Sequence, residues 1–336
     1  MKRVLLTPIV KGYADSFYEE LDRYKPIDRL KELKKQLKKR EYEDYIDILI
    51  QNHKSIITSS PRDINTTIIP LFDVKQQTLD LAEYFTVRPC LSNGARTAVS
   101  KKFYQLVVDA LCYDEVQEII FPKYMKQMGI NTCVYCNSQY AISAKKGKTE
   151  TSKRYRSTYT IDHCLPKSKY PYLATSFFNL YPACSSCNQA KSYKDPIFSL
   201  YIETTDPSND RNPFFFCLDK SSFIRYIMTG KVEDLVIKFQ SQNNKQQDSI
   251  DYDNYFHIER LYENLKDVVE EVIWKYRAYN KSGRKALEDS FNVMFHDKND
   301  WNRFILGNYV NEEDLLKRPL AIFVHDIAKQ LGIIID

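Results

Sequence analysis

Two groups of residues near the middle of the chain have the types and spacing to do chemistry. The first group consists of two Cys-x-x-Cys pairs, Cys133 with Cys136 and Cys184 with Cys187. Four thiolates presented in two such pairs can surround one ion tetrahedrally, which predicts a closed structural zinc site. The alternative is a set of redox-active or merely structural thiols. A closed site has no open position for a substrate, so we expect the cysteines to form a scaffold and the reaction to occur beside it.

The second group begins with Asp162 and His163, at the end of the strand-like run YTIDH. A histidine can accept a proton from water at cellular pH. Asp162 offers hard carboxylate oxygens to an ion such as Mg²⁺, and Asn188 can add an amide oxygen from a helix. Such a set suits the hydrolysis of a phosphodiester. The alternatives are structural, with Asp162 as a strand-end cap and His163 as a surface residue. Asn179 and Asn188 would then only cap turns or the helix.

The order of these elements resembles the HNH endonuclease family in its zinc-stabilised ββα-metal form. An Asp-His pair, an Asn-Leu pair and a Cys-x-x-Cys-Asn-x-x-Lys run follow one another at compatible spacings between residues 130 and 195. The resemblance implies that His163 is the general base and that Asn179 fixes the loop that carries it. It also implies that Asp162 and Asn188 bind the catalytic ion, Mg²⁺ or Mn²⁺.

One position departs from the family's pattern, because Asn188 stands where the last signature histidine would be. An amide oxygen is a poor ligand for soft metals. This departure therefore favours a single weakly held hard ion over a tightly bound transition metal.

The resemblance also implies an α+β fold, in which a small ββα-metal HNH core surrounds the four-cysteine zinc site. Hydrophobic residues recur near the helical period on both sides of that core, which predicts largely α-helical flanks. We therefore divide the chain into three parts. They are an α-helical N-terminal region over residues 1–128, the nuclease domain with its zinc knuckles over 129–200, and a mainly α-helical C-terminal region over 201–336.

Within the N-terminal region, hydrophobic periodicity predicts helical structure over residues 13–58 and again over 74–128, with Gly129 as a helix stop. The stretch between Pro61 and Pro70 is polar, which predicts a linker or an exposed turn.

The C-terminal region has a different pattern. A strand or two are expected over residues 214–240, followed by helices over 255–279 and 311–332. Asn311 is predicted to cap the last helix, and Pro319 is predicted to kink it.

A basic segment lies between the first cysteine pair and the Asp-His strand. Beside a phosphate-cleaving site, such a cluster would neutralise backbone charge without sequence preference. The net charge of the chain is only +5, so affinity for nucleic acid would have to come from local clusters. The alternatives are an exposed flexible loop and, for the helical lysine, a solvated position. The candidate contacts are Lys145, Lys146, Lys153, Arg154 and Arg156, together with Lys191 on the following helix.

The sequence indicates a reducing compartment. The start of the chain lacks the pattern of a secretory signal, and no stretch approaches the roughly 18 apolar residues of a membrane-spanning helix. We therefore expect a cytoplasmic protein without a membrane partner. In that compartment the eight cysteines would stay thiols or bind metal.

The expected function is a metal-dependent endonuclease that hydrolyses DNA, with double-stranded DNA as its partner. HNH chains with helical flanks resemble bacterial or phage defence nucleases, including those encoded beside an ATPase in Septu-type systems. An ATPase partner protein or self-association is therefore a further expectation. Homing, packaging and mobile-element nucleases would share the same core. Two alternatives stay open: a non-catalytic zinc-containing DNA-binding scaffold, and an RNA-directed nuclease, because the scissile phosphate is alike in both polymers.

Overall fold

The N-terminal flank begins with a short strand and three helices. The structure, a computed structural model, describes residues 1–88, 97–147, 154–194, 196–203, 212–242, 246–279 and 298–334. Thr7 caps the first helix by accepting a hydrogen bond from the Val10 N–H, and Pro8 occupies the first turn, where a missing N–H costs nothing. The helical prediction for residues 13–58 is confirmed. The elements are β1 (Val4–Leu5), α1 (Pro8–Asp22), α2 (Pro26–Gln36) and α3 (Arg40–Thr58).

The stretch between the two prolines is helical, which corrects the prediction of a linker there. It comprises α4 (Pro61–Asp63), a π-helical turn (Ile64–Ile68) and α5 (Ile69–Gln76). The Ser60 hydroxyl accepts a hydrogen bond from the Asp63 N–H, which caps the start of the run. Pro61 stands in the first turn, and Pro70 follows the π-helical turn, where the backbone pattern has already changed. Both prolines are therefore accommodated without ending the helix.

A β-hairpin interrupts the second predicted helical stretch. Strands β2 (Tyr84–Val87) and β3 (Val99–Lys102) pair antiparallel, so the expectation of continuous helical periodicity from residue 74 is wrong here. Helices resume after the hairpin as α6 (Phe103–Ala110), α7 (Tyr113–Glu115), a π-helical turn (Val116–Ile120) and α8 (Phe121–Gln127). Gly129 follows with a φ of +68°, which confirms it as the helix stop.

Among its described residues, the central module contains two antiparallel hairpins, two 3-10 turns (Pro171–Leu173 and Phe177–Asn179) and one α-helix. Strands β4 (Ser143–Lys145) and β5 (Tyr155–Ser157) form the first hairpin, and β6 (Thr160–His163) and β7 (Leu180–Ala183) form the second. Helix α9 (Ser185–Lys191) follows β7 directly. The second hairpin and α9 form the expected ββα unit.

The C-terminal flank begins with a strand that pairs with the first strand of the chain. Strand β8 (Tyr201–Ile202) pairs parallel with β1, and β9 (Phe214–Leu218) pairs antiparallel with β10 (Ile237–Ser241), which confirms the strands expected at 214–240. The helices are α10 (Lys220–Thr229), α11 (Gln246–Phe256), α12 (Ile258–Glu263), α13 (Lys266–Ala278), α14 (Lys298–Leu306) and α15 (Ala321–Gln330).

The two predicted C-terminal helices are each divided. His257 and Leu320 have left-handed backbone conformations, with φ of 51° and 62°, and a new helix begins after each of them. Asn311 does act as a cap, but it caps only a short 3-10 turn (Glu312–Asp314). Residues 311–332 are therefore a capped turn followed by α15, and not one kinked helix.

Both flanks pack against the central module through aromatic side chains. On the N-terminal side, Phe72 stacks on Tyr172 with ring centroids 3.8 Å apart. On the C-terminal side, the buried hydroxyls of Tyr252 and Tyr262 donate hydrogen bonds to the carbonyls of Tyr135 and Cys136.

Within the described ranges, none of the helices combines the length and the apolar character that crossing a bilayer requires.

Candidate metal and nuclease site

The four predicted cysteine ligands come together at one point. Their sulfur atoms all lie within 4.8 Å of one another, and the Sγ atoms of Cys136 and Cys184 are 4.0 Å apart. A zinc–sulfur bond of about 2.3 Å implies a tetrahedral edge of about 3.8 Å, so the cluster has the size of a four-thiolate zinc site. The residues therefore fit a structural zinc ion.

Helix α9 places ligands and candidate reactive residues on one face. Cys184 stands at its N-cap, and Cys187, Asn188 and Lys191 follow three, four and seven positions later. Residues at these spacings share one side of a helix. The face that contributes two sulfurs to the cysteine cluster thus also turns towards strand β6.

The hairpin of β6 and β7 ends at the Asp-His pair. Asp162 pairs with Tyr181 and His163 with Leu180 in the antiparallel register. Both side chains are buried, with 4% of Asp162 and 6% of His163 exposed. The alternative interpretation of His163 as a surface residue is therefore wrong. Two neighbouring strand residues point to opposite faces of a sheet, so the carboxylate and the imidazole face different surroundings.

The His163 ring is anchored by one nitrogen. Its Nε2 lies 3.0 Å from the carbonyl oxygen of Ala174, and a carbonyl oxygen can only accept, so Nε2 carries the proton. Nδ1 is then the basic nitrogen, and it has no hydrogen-bond partner among the described residues. Burial, followed by the positive charge of Lys167, lowers the pKa of His163 to about 3. The imidazole is therefore uncharged at neutral pH.

Asp162 lies in a buried network that the sequence did not reveal. Its Oδ2 accepts a hydrogen bond of 2.5 Å from the Tyr135 hydroxyl and lies 3.2 Å from the Lys191 ammonium. The same ammonium donates to the His163 carbonyl at 2.6 Å. Burial raises the pKa of Asp162, and the charge of Lys191 opposes that shift. Tyr135 belongs to the first cysteine knuckle, so one hydroxyl links the zinc scaffold to the carboxylate.

This network corrects the expectation for Lys191. Its side chain is only 3% exposed and is directed at Asp162, so Lys191 is neither a solvated helix residue nor part of an exposed basic surface. A buried carboxylate needs a nearby cation, and Lys191 is the cation that α9 supplies. Sequence spacing placed Lys191 on the helix, but only the packing of α9 on β6 gives it this partner.

Asn188 faces the same strand from α9. Its Nδ2 donates to the Thr160 hydroxyl at 2.9 Å, which leaves the amide oxygen as the available donor atom. Asp162 and Asn188 therefore offer one carboxylate and one amide oxygen, a hard donor set that fits Mg²⁺ or Mn²⁺. Asp162 would share its charge between such an ion and Lys191.

Asn179 clamps the loop that follows the Asp-His pair. Its Oδ1 accepts from the Leu165 N–H at 2.7 Å, and its Nδ2 donates to the carbonyls of Leu165 and Leu173. The Asn179 carbonyl also accepts from the Cys164 N–H. Every polar group of this buried side chain is used, so the loop after His163 is held in one conformation.

The predicted basic contacts divide into different environments. Lys145 pairs with Tyr155 in the hairpin register, whereas Arg156 pairs with Ala144, so the two cations point to opposite faces of the hairpin. Both are exposed. The remaining two described cations, Lys146 and Arg154, lie 3.7 and 3.3 Å from Glu118, which offsets part of their charge. Lys153 lies outside the described residues.

Comparisons with known proteins agree with this geometry. Residues 133–194 match the family model described as HNH endonuclease, so this segment is an HNH domain. The chain is also similar to the Septu protein PtuB of Bacillus thuringiensis, with 34% identity over 96 residues. That similarity covers 27% of this chain and 32% of the relative, so the chain matches about a third of the relative's length. No solved structure matches the chain.

Proposed function

We propose that the chain is a metal-dependent endonuclease that hydrolyses phosphodiester bonds in double-stranded DNA. The observation that carries this proposal is the state of His163. Its Nε2 is hydrogen-bonded to the Ala174 carbonyl, which leaves Nδ1 as the nitrogen that can accept a proton, and Nδ1 has no partner among the described residues. An anchored imidazole with one ring nitrogen left without a partner is the geometry that a general base for water attack requires.

The roles of the other residues follow from their contacts. Asp162 and Asn188 would hold Mg²⁺ or Mn²⁺, which supplies Lewis-acid stabilisation to the phosphate when bound. His163 Nδ1 accepts the proton of the attacking water. Asn179 keeps the loop after His163 in place through its hydrogen bonds to Leu165 and Leu173. Tyr135 and Lys191 orient Asp162 and are positioning residues.

A plasmid-cutting assay tests this function. We expect supercoiled DNA to be cut with Mg²⁺ or Mn²⁺ and to remain intact with EDTA. Replacing His163 by Ala is expected to lower the rate by about 10²- to 10⁴-fold, the usual contribution of a general base. His257 is exposed, and His257→Asn serves as the matched control with an unchanged rate.

Matched DNA and RNA duplexes separate the remaining alternatives. Cutting of the RNA duplex alone would identify an RNA-directed nuclease. DNA binding without cutting of either polymer, under any metal, would identify a zinc-containing scaffold. A His163→Ala chain that cuts at the wild-type rate would exclude the mechanism while leaving a nuclease activity to explain.

We further propose a cytoplasmic role in defence against phage or foreign DNA. The similarity to a Septu protein supports this role, and an ATPase partner or self-association would restrain the nuclease. Light scattering on the purified chain, alone and mixed with a candidate ATPase partner, tests the partnership. A chain that stays monomeric in both samples and degrades DNA without a trigger would contradict it.

A further inference from the structure

A lysine that the predicted site did not include lies in the loop after the Asp-His pair. Lys167 follows Pro166, whose carbonyl accepts hydrogen bonds from the N–H groups of Lys169 and Tyr170 at 2.9 and 2.8 Å. The preceding Leu165 is held at both its N–H and its carbonyl by Asn179. The backbone on both sides of Lys167 is therefore fixed.

One aromatic ring joins this lysine to the candidate general base. The Lys167 ammonium lies 4.3 Å from the centre of the Tyr113 ring, and the Tyr113 and His163 ring centres are 5.1 Å apart. At 4.3 Å the ammonium is well inside the range of a cation–π contact. Of the charged groups that lower the pKa of His163, Lys167 has the larger effect and Lys191 the smaller. The ammonium thus lies close to the imidazole.

Lys167 forms no ion pair within 4 Å in the described part of the chain. Two acids raise its pKa from beyond that distance, Asp114 first and then Asp109, and Asp109 is itself paired with Lys101 at 2.6 Å. Lys191, the other cation at this site, is paired with Asp162. Lys167 is half-buried, and burial lowers its pKa. Holding a partly desolvated ammonium without an anion is costly, unless an anionic ligand binds there.

We propose that Lys167 binds a phosphate of the substrate at the scissile bond, an inference that rests on the proposed nuclease function. The ammonium lies where negative charge develops during phosphodiester hydrolysis, and it can stabilise that charge without rearrangement because Tyr113 already positions it. Lys167 is then a substrate-contacting residue, whereas the ammonium of Lys191 is already engaged by Asp162 and the His163 carbonyl.

The experiment measures binding and cutting separately. Binding of a labelled DNA duplex is followed by fluorescence anisotropy in the His163→Ala background with Mg²⁺, over a series of salt concentrations. Lys167→Met is expected to weaken binding about tenfold, the effect of one lost charge-assisted hydrogen bond. It is also expected to reduce the slope of log K against log salt by about 0.9, the value for one phosphate contact in B-DNA. In the otherwise wild-type chain, Lys167→Met is expected to slow cutting about 10- to 100-fold.

The structure offers a matched control. Lys54 lies 5.6 Å from the centre of the Tyr18 ring, which is itself 5.7 Å from the centre of the buried His53 ring. Lys54→Met therefore removes the same kind of cation–π contact beside a different histidine. It is expected to leave cutting, duplex binding and the salt slope unchanged. Lys167→Arg keeps the charge and is expected to retain the salt slope.

The outcomes are distinct. If Lys167→Met binds and cuts like Lys54→Met, the proposal is wrong. If cutting slows while the salt slope stays at its parent value, Lys167 positions Tyr113 and His163 without touching phosphate, and the proposal is again wrong. If the wild-type chain cuts neither DNA nor RNA, the proposed function fails, and the salt slope still decides whether Lys167 contacts phosphate.

Discussion

His163 and His53 are both buried imidazoles, and they differ in their hydrogen bonding. His163 donates from one ring nitrogen to the Ala174 carbonyl, and its other nitrogen has no partner among the described residues. His53 lies in α3, is 1% exposed, and has no hydrogen-bond partner for either nitrogen among the described residues. Burial lowers the pKa of both imidazoles, so only the hydrogen bond to Ala174 distinguishes His163 from His53.

His53 should make the fold sensitive to acid. Burial lowers its pKa to about 4, from an ordinary value near 6.5 in the unfolded chain. Above pH 6.5 both states are neutral, so the group has no effect. Between pH 6.5 and 4 only the unfolded state binds the proton, so the free energy of unfolding falls by about 1.4 kcal/mol per pH unit. Urea unfolding at pH 7 and pH 5 should therefore show about 2 kcal/mol of loss from His53.

Comparison with variants isolates that contribution. His53→Leu is expected to lose about 2 kcal/mol less than the wild type between pH 7 and pH 5. His257→Asn removes an exposed histidine from a left-handed position that Asn tolerates, and it should keep the wild-type pH dependence. Equal pH dependence in His53→Leu and wild type would contradict the assignment.

At the scale of elements, helix α9 and the first cysteine knuckle contribute residues both to the cysteine cluster and to the candidate site. The helix contributes Cys184 and Cys187 to the cluster and Asn188 and Lys191 to the site. The knuckle contributes the Tyr135 hydroxyl to Asp162. Because the same short segments supply sulfur ligands and site residues, metal binding and the geometry of Asp162 are coupled.

Loss of the zinc ligands should therefore disable the site and destabilise the module. Structural zinc contributes about 10–16 kcal/mol in small peptide folds, as much as a whole domain's stability. We expect one zinc per wild-type chain by elemental analysis. Cys184→Ser is expected to lower the zinc content and the Tm, and to abolish DNA cutting even with excess Mg²⁺.

A thiol outside the cluster provides the control. Cys217 is a half-buried cysteine on β9, and Cys217→Ser is expected to keep one zinc per chain. A Cys184→Ser chain with a full zinc content and an unchanged Tm would show that the cluster is not the zinc site.

At the scale of the whole molecule, one buried asparagine joins the HNH domain to the C-terminal flank. Asn137 follows the first knuckle and has a φ of 53°. Its side chain bonds to Thr132, to the Leu315 carbonyl and to the Ile322 N–H, and its own carbonyl accepts from the Leu320 N–H. The start of α15 is thus tied to the cysteine knuckle.

Asn137→Ala should destabilise the contact between the cysteine knuckle and the start of α15. The substitution leaves buried groups of Thr132, Leu315 and Ile322 without partners and places a Cβ residue in a left-handed conformation. We expect it to lower the free energy of unfolding by about 2–4 kcal/mol, measured by urea unfolding. Asn264→Ala removes an exposed asparagine hydrogen-bonded to Arg260 and is expected to change stability by less than about 0.5 kcal/mol. Similar effects of both substitutions would contradict the role of Asn137.

The sequence by itself determined the local chemistry of this protein. The Cys-x-x-Cys pairs, the Asp-His pair and the spacing of Asn188 from Cys184 are short-range patterns, and backbone geometry over a few residues fixes what they present. Gly129 as a helix stop and Asn311 as a cap are local in the same sense, because one residue's backbone or side chain decides them.

Only the tertiary structure decided which distant groups meet. The partners of Asp162, the burial of His163 and the ion pair of Lys191 depend on α9 packing against β6. The pairing of β1 with β8 joins residues almost 200 positions apart. Such contacts follow from the summed burial of many side chains, which no local pattern encodes. Tyr135 and Lys167 could not be identified from the sequence for that reason. Tyr135 contacts Asp162, and Lys167 contacts the Tyr113 ring, and both partners are remote in sequence.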